Sequence, residues 1–89
     1  MQTAFWIDFF GWIGALLILT AYALISLKKV EGDSLSYQLL NIFGSIFLVV
    51  NTFYWNALPS TLVNAIWLLI ALFAVFSIIR KLNKKVENV

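Results

Sequence analysis

Three long apolar segments, separated by two short polar ones, constrain this chain more than any other feature. They extend over residues 4–27, 35–56 and 60–80, and the only formal charges inside them are Asp8, near the start of the first, and Arg80, which ends the third. A helix rises about 1.5 Å per residue and a bilayer core is about 30 Å thick, so each segment is long enough to cross a membrane. The sequence predicts three transmembrane helices.

The composition favours the same fold class. Hydrophobic residues make up 63% of the chain and charged residues 11%, whereas soluble domains have about 45–50% and 25%. With 89 residues and a mean hydropathy of +0.96, a soluble fold would leave much apolar surface in water. We therefore expect an all-α integral membrane protein with one domain over residues 1–89, ending in a basic cytoplasmic tail at 81–89.

The two connections between the segments are short. Residues 28–34, with the sequence KKVEGDS, are polar and are expected to form a loop. Pro59 is the only proline, and Ser60 follows it, which is a turn and helix-start signal. The third segment should therefore follow the second through a tight hairpin.

The basic residues indicate how the chain is oriented. All of them lie in the first loop or from the last residue of the third segment onward, regions that three crossings bring to one side of the membrane: Lys28, Lys29, Arg80, Lys81, Lys84 and Lys85. The positive-inside rule then predicts an external N-terminus and a cytoplasmic C-terminus. Since every copy would insert in the same direction, an assembly of copies should be parallel.

Several function classes are disfavoured by what the chain lacks. It contains no cysteine and no histidine, so thiolate or imidazole metal ligands, disulfides and Cys–His or Ser–His catalysis are excluded. The carboxylates are scattered over three segments: Asp8, Glu31, Asp33 and Glu87. We expect no enzyme, no catalytic residues, no metal and no cofactor, and too few basic residues to bind nucleic acid.

Polar residues collect on one face of each predicted helix. At about 100° per residue, the second helix has a stripe that contains Asn41, Ser45, Leu48, Thr52 and Trp55, with Asn51 at its edge. The corresponding stripes are Asp8, Gly11, Trp12, Ala15, Tyr22 and Ser26 in the first helix and Ser60, Asn64, Trp67, Ala71 and Ala74 in the third. Because an unpaired polar group in lipid costs free energy, these faces should be buried in protein.

Two interpretations of these polar faces remain open. The side-chain amides can join helices by hydrogen bonds, each contributing about 0.6 kcal/mol and at most about 2. The amides at positions 38, 41, 51 and 64, together with Trp12, Tyr22 and Trp67, also suit a polar cavity. Three helices cannot enclose such a cavity, so we expect a parallel homodimer of six helices, with the site near the membrane midplane.

The layout resembles the SemiSWEETs, bacterial half-transporters of the PQ-loop superfamily. The similar features are a short basic first loop, the sequence SLSYQ at 34–38, Gly44, Leu58-Pro59, and Asn64 five residues after the proline. In that family an Asn on helix three and a Trp on helix two contact sugar; Asn64 matches the Asn, and Leu48 stands at the Trp position. The Pro-Gln hinge of helix one is absent. The strings TAYALIS and SLSYQLLNIFG are more similar to an uncharacterised family of bacterial inner-membrane proteins with this architecture.

This resemblance implies a function for the polar faces. A SemiSWEET-like homodimer would move a small polar solute, such as a mono- or disaccharide, by alternating access across the bacterial inner membrane. The candidate substrate-binding residues are Asn64, Asn41, Ser45, Asn51, Tyr22 and Trp67. Without an ionisable residue at mid-membrane, facilitated diffusion is expected. The alternative is a membrane protein that transports nothing and whose polar faces form an oligomer, lipid or partner-protein interface.

Overall fold

The computed structural model describes residues 2–87 and contains three helices there: α1 (Gln2–Ser26), α2 (Leu35–Tyr54) and α3 (Leu58–Glu87). Each is long and apolar enough to cross a membrane. The predicted all-α fold, with three helices of spanning length and composition, is therefore confirmed. The last two residues of the predicted tail, 88 and 89, lie outside the described residues.

The third helix is longer than the apolar segment from which it was predicted. It was expected to end at residue 80, but it continues to Glu87. Residues 81–87 contain no Gly or Pro, most of them favour helix, and Lys84 and Lys85 in the last turn complement the negative end of the helix dipole. A helix of 30 residues is about 45 Å long, so its basic end extends beyond a core of about 30 Å.

Helices α1 and α2 both end in local hydrogen bonds made by the first residues of the connection that follows. Lys28 and Asn56 both have a φ of 60°, the left-handed conformation that terminates α1 and α2, and Asn adopts it more readily than most residues. At the end of α1, the backbone N–H groups of Lys28 and Lys29 donate to the carbonyls of Ile25 (3.1 Å) and Leu24 (2.8 Å). At the end of α2, those of Asn56 and Ala57 donate to the carbonyls of Phe53 (3.0 Å) and Thr52 (2.8 Å). These are two Schellman motifs, and they keep both connections short.

Helix α2 lies between α1 and α3. Within residues 2–87, no Cα atom of α1 comes within 8 Å of a Cα atom of α3. Glycines bring α1 and α2 close together: a Cβ added to Gly14 would lie 2.9 Å from the Gly44 carbonyl oxygen, and one added to Gly44 would lie 3.0 Å from the Gly14 oxygen. Small residues of this kind permit close backbone contact between membrane helices.

The two neighbours of α2 contact adjacent faces of it and leave a groove. Asn51 bonds to α1, whereas the next residue, Thr52, accepts a 2.9 Å hydrogen bond from Thr61 of α3. Successive residues of a helix point about 100° apart around its axis. The directions from the α2 axis to α1 and to α3 therefore differ by about 100°. We call the space between α1 and α3 the central groove. Its floor is the face of α2 that contains Tyr37 and Leu48, both half-buried.

Candidate functional site

Near the predicted outer end, a pocket lies between α1 and α2. This outer pocket has a volume of about 280 Å³ and is lined by Asp8, Gly11, Trp12, Ala15 and Asn51. The small side chain of Ala15 leaves room in front of the α1 backbone, and Gly11 lets the Asn51 side chain lie directly against it. The pocket thus combines a carboxylate, an indole and a side-chain amide.

Two hydrogen bonds hold the polar groups of the outer pocket. The Trp55 indole N–H donates to an Asp8 carboxylate oxygen at 2.7 Å, and the Asn51 amide N–H donates to the Ile7 carbonyl at 2.9 Å. The amide oxygen of Asn51 makes no hydrogen bond with any described residue, and Trp12 is 71% exposed. The outer pocket therefore offers oxygen acceptors beside an aromatic surface, which suits a hydroxyl-bearing ligand.

A second pocket lies deeper, between α2 and α3. This inner pocket has a volume of about 150 Å³ and is lined by Tyr37, Gln38, Asn41, Trp67, Ile70 and Ala71. Asn41 is only 3% exposed, and both ends of its amide are used: it donates to the Tyr37 carbonyl at 3.0 Å and accepts from the Trp67 indole at 3.1 Å. In this chain Asn41 therefore links α2 to α3.

The six predicted substrate-binding residues do not form a single cluster. Asn51 lies in the outer pocket, and Asn41 and Trp67 lie in the inner one. Ser45 is fully buried, and its hydroxyl has no hydrogen-bond partner among the described residues. Asn64 is half-buried and Tyr22 is exposed, and neither lines the outer or the inner pocket.

Asp8 and Trp12 belong to the outer pocket, although the sequence analysis did not include them among the substrate-binding residues. Their positions on the polar stripe of α1 were the available signal, because Asp8, Trp12 and Ala15 are separated by helical intervals of four and three residues. Among the described residues, Asp8 is the only carboxylate that lines either pocket. Within residues 2–87, no three carboxylates lie together as a metal site would require.

Comparison with known proteins gives one kind of match. A model of an uncharacterised protein family matches residues 7–82, which include most of α1, all of α2, and α3 as far as the basic residues that follow its apolar part. No curated protein and no solved structure matches the chain.

Proposed function

We propose that this chain, which belongs to the uncharacterised family whose model matches residues 7–82, is a homodimeric carrier of small uncharged polar solutes in the bacterial inner membrane. The observation that supports this proposal is the central groove, which collects hydrogen-bonding side chains on one side of a three-helix unit. Polar groups facing lipid without partners cost several kcal/mol each by order of magnitude. The groove therefore needs a cover that can also bind polar groups.

A second copy of the chain is the cover that we propose. The amphipathic aromatics Trp12 and Tyr22 are 71% and 68% exposed in the single chain, and both lie on the polar stripe of α1. The connection between α1 and α2 and the end of α3 share one end of the bundle, where Asp33 lines a groove with Lys81 and Lys85. All six basic residues thus lie at one end, so two copies insert in parallel, with that end cytoplasmic. A two-fold axis along the membrane normal would then place groove against groove.

The groups in the outer pocket favour an uncharged, hydroxylated solute. The free amide oxygen of Asn51 and the second oxygen of Asp8 would accept hydrogen bonds, and the Trp12 indole would pack against a sugar face. Between Asp8 and Lys28, along α2, and from Leu58 to residue 79, the sequence has no Asp, Glu, Lys or Arg. These stretches thus offer no charged side chain to bind a coupling ion, and facilitated diffusion is the proposed mode.

Alternating access requires that the outer end of the groove can open. The bond between Trp55 and Asp8 joins α2 to α1 there and is exposed, so water can replace it at little cost. The bond between Trp67 and Asn41 differs, because Asn41 is buried and loss of this bond would leave its side-chain oxygen unpaired. We propose that the outer end of the groove opens at the Trp55–Asp8 bond, while the buried Trp67–Asn41 bond stays intact.

One observation favours the second candidate, a protein whose polar faces form a dry interface and transport nothing. The side-chain oxygen of Asn41 and the side-chain nitrogen of Asn51 form hydrogen bonds to other helices. The side-chain nitrogen of Asn41 bonds to a carbonyl within α2. Interhelical bonding of this kind is the ordinary role of amides in membrane helices. This candidate predicts a fully packed groove and no solute flux.

Uptake by proteoliposomes separates the two candidates. Purified protein would be reconstituted and tested with labelled monosaccharides, disaccharides and polyols, beside empty liposomes. The matched pair is Trp12→Leu, in the outer pocket, and Phe73→Leu, on the apolar face of α3, because the two side chains are 71% and 72% exposed. We expect uptake of at least one solute, lowered by Trp12→Leu and unchanged by Phe73→Leu. The carrier proposal fails if no solute enters faster than into empty liposomes.

A further inference from the structure

A basic pocket lies at the end of α3, away from the central groove. It has a volume of about 220 Å³ and is lined by Ser77, Arg80, Lys81 and Lys84. None of the residues 2–87 that line it is acidic. Three cations and a hydroxyl thus surround one small space, which is the donor set that a phosphate group prefers.

The basic pocket is on the side of α3 that points away from α2. Ala71 is buried, on the α2-facing side, and at about 100° per residue Arg80 and Lys84 lie roughly opposite to it. Phe73 and Phe76 precede them on the apolar part of α3 and are 72% and 58% exposed. The Arg80 guanidinium lies 5.9 Å from the Phe76 ring centre. The pocket therefore borders the apolar surface that faces the bilayer.

Its depth corresponds to the lipid headgroups. Arg80 lies about 33 Å along the helix from Leu58, where α3 begins. This distance is close to the thickness of the hydrocarbon core, which is about 30 Å. Ser77 lies nearly one turn deeper. A phosphate bound here would lie at the edge of the hydrocarbon core, next to apolar side chains that continue toward the membrane centre.

We propose that the basic pocket is a binding site for an anionic phospholipid, with the headgroup phosphate on Arg80 and Lys84 and the acyl chains along Phe73 and Phe76. A zwitterionic lipid would bring an ammonium group into the same cluster of cations and is disfavoured. Free phosphate would gain the charge interactions but not the contact with the phenyl rings. The site does not depend on what the central groove carries.

Native mass spectrometry of the full chain with added lipid tests this site. The purified protein would be mixed with phosphatidylglycerol or with phosphatidylcholine, and retained lipid would be counted. The test variant is Arg80→Gln/Lys84→Gln, and the matched control is Lys28→Gln/Lys29→Gln, which removes the same charge at the same end of the bundle. We expect the test variant to retain phosphatidylglycerol at least tenfold less than the wild type and the control, because only the test variant removes two of the three cations that line the basic pocket.

Three results would overturn the proposal. Equal losses in both double variants would mean that net charge attracts lipid and that no site exists. Equal retention of phosphatidylcholine would contradict selection of an anionic headgroup. Displacement of phosphatidylglycerol by millimolar inorganic phosphate would make this a site for a free anion. Circular dichroism of each variant would show that the helices remain folded, and Ser77→Ala, which keeps every charge, should weaken retention by a smaller factor.

Discussion

The side chain of Asn51 fills the space in front of Gly11, and from there it donates a 2.9 Å hydrogen bond to the Ile7 carbonyl. A Cβ atom on Gly11 would lie 2.6 Å from Cγ of Asn51 and still closer to its amide nitrogen. The glycine and the amide thus depend on each other at the interface between α1 and α2. They also shape the outer pocket, which both of them line.

We predict that Gly11→Ala destabilises the fold by about 1–3 kcal/mol, because the added methyl group displaces Asn51 and its hydrogen bond. Unfolding of the detergent-solubilised protein by added sodium dodecyl sulfate would measure this change. Gly32→Ala is the control, since a Cβ there meets only Ile25 Cδ1, at an ordinary 3.7 Å. Equal stability of the two variants would contradict the proposed dependence.

We also predict an energetic coupling between Asn41 and Trp67. Trp67→Phe keeps an aromatic ring but removes the indole N–H that donates to Asn41 at 3.1 Å, and Asn41→Ala removes the acceptor. A double-mutant cycle of unfolding free energies should give a coupling of about 0.6 kcal/mol and below about 2 kcal/mol. If the two changes are additive within error, the bond does not hold α3 to α2.

Hydropathy was sufficient to predict the three helices, because a spanning segment depends on local composition alone. It did not predict that α3 would continue to Glu87, since the loss of apolar residues after residue 79 ends a membrane segment without ending a helix. The left-handed residue Lys28 could not be predicted either. Lysine has no special preference for that conformation, and the fold of the loop imposes it.

The polar stripe on α2 was predicted, but its division between two neighbours was not. Asn41 and Thr52 bond to α3, whereas Asn51 and Gly44 contact α1. Periodicity shows which residues share a face of one helix, but it does not show which helix covers that face. For the same reason, the six candidate residues could be chosen by stripe, while the placement of Asn51 in the outer pocket and of Asn41 and Trp67 in the inner one required the packing of the helices.

Cross-linking tests whether the central groove is where two copies meet. The chain has no cysteine, so a single introduced thiol reports on one position. Tyr22 lies seven residues after Ala15 of the outer pocket, on nearly the same face of α1, and it is 68% exposed. We predict that Tyr22→Cys forms a disulfide-linked dimer in membranes under oxidation and that Phe73→Cys does not. A dimer formed only by Phe73→Cys would place the interface on the opposite side.

The central claim is that the covered groove is a hydrated path for a solute. Ala15→Cys tests it most directly, because Ala15 lines the outer pocket and a thiol must be in water to ionise and react with a membrane-impermeant methanethiosulfonate reagent. The reaction rate would be measured in intact membranes beside that of Phe73→Cys, which faces lipid. We predict that Ala15→Cys is modified at least tenfold faster and that a transported sugar slows its modification. An Ala15→Cys thiol as unreactive as Phe73→Cys would mean that the groove is dry, and it would contradict the carrier function.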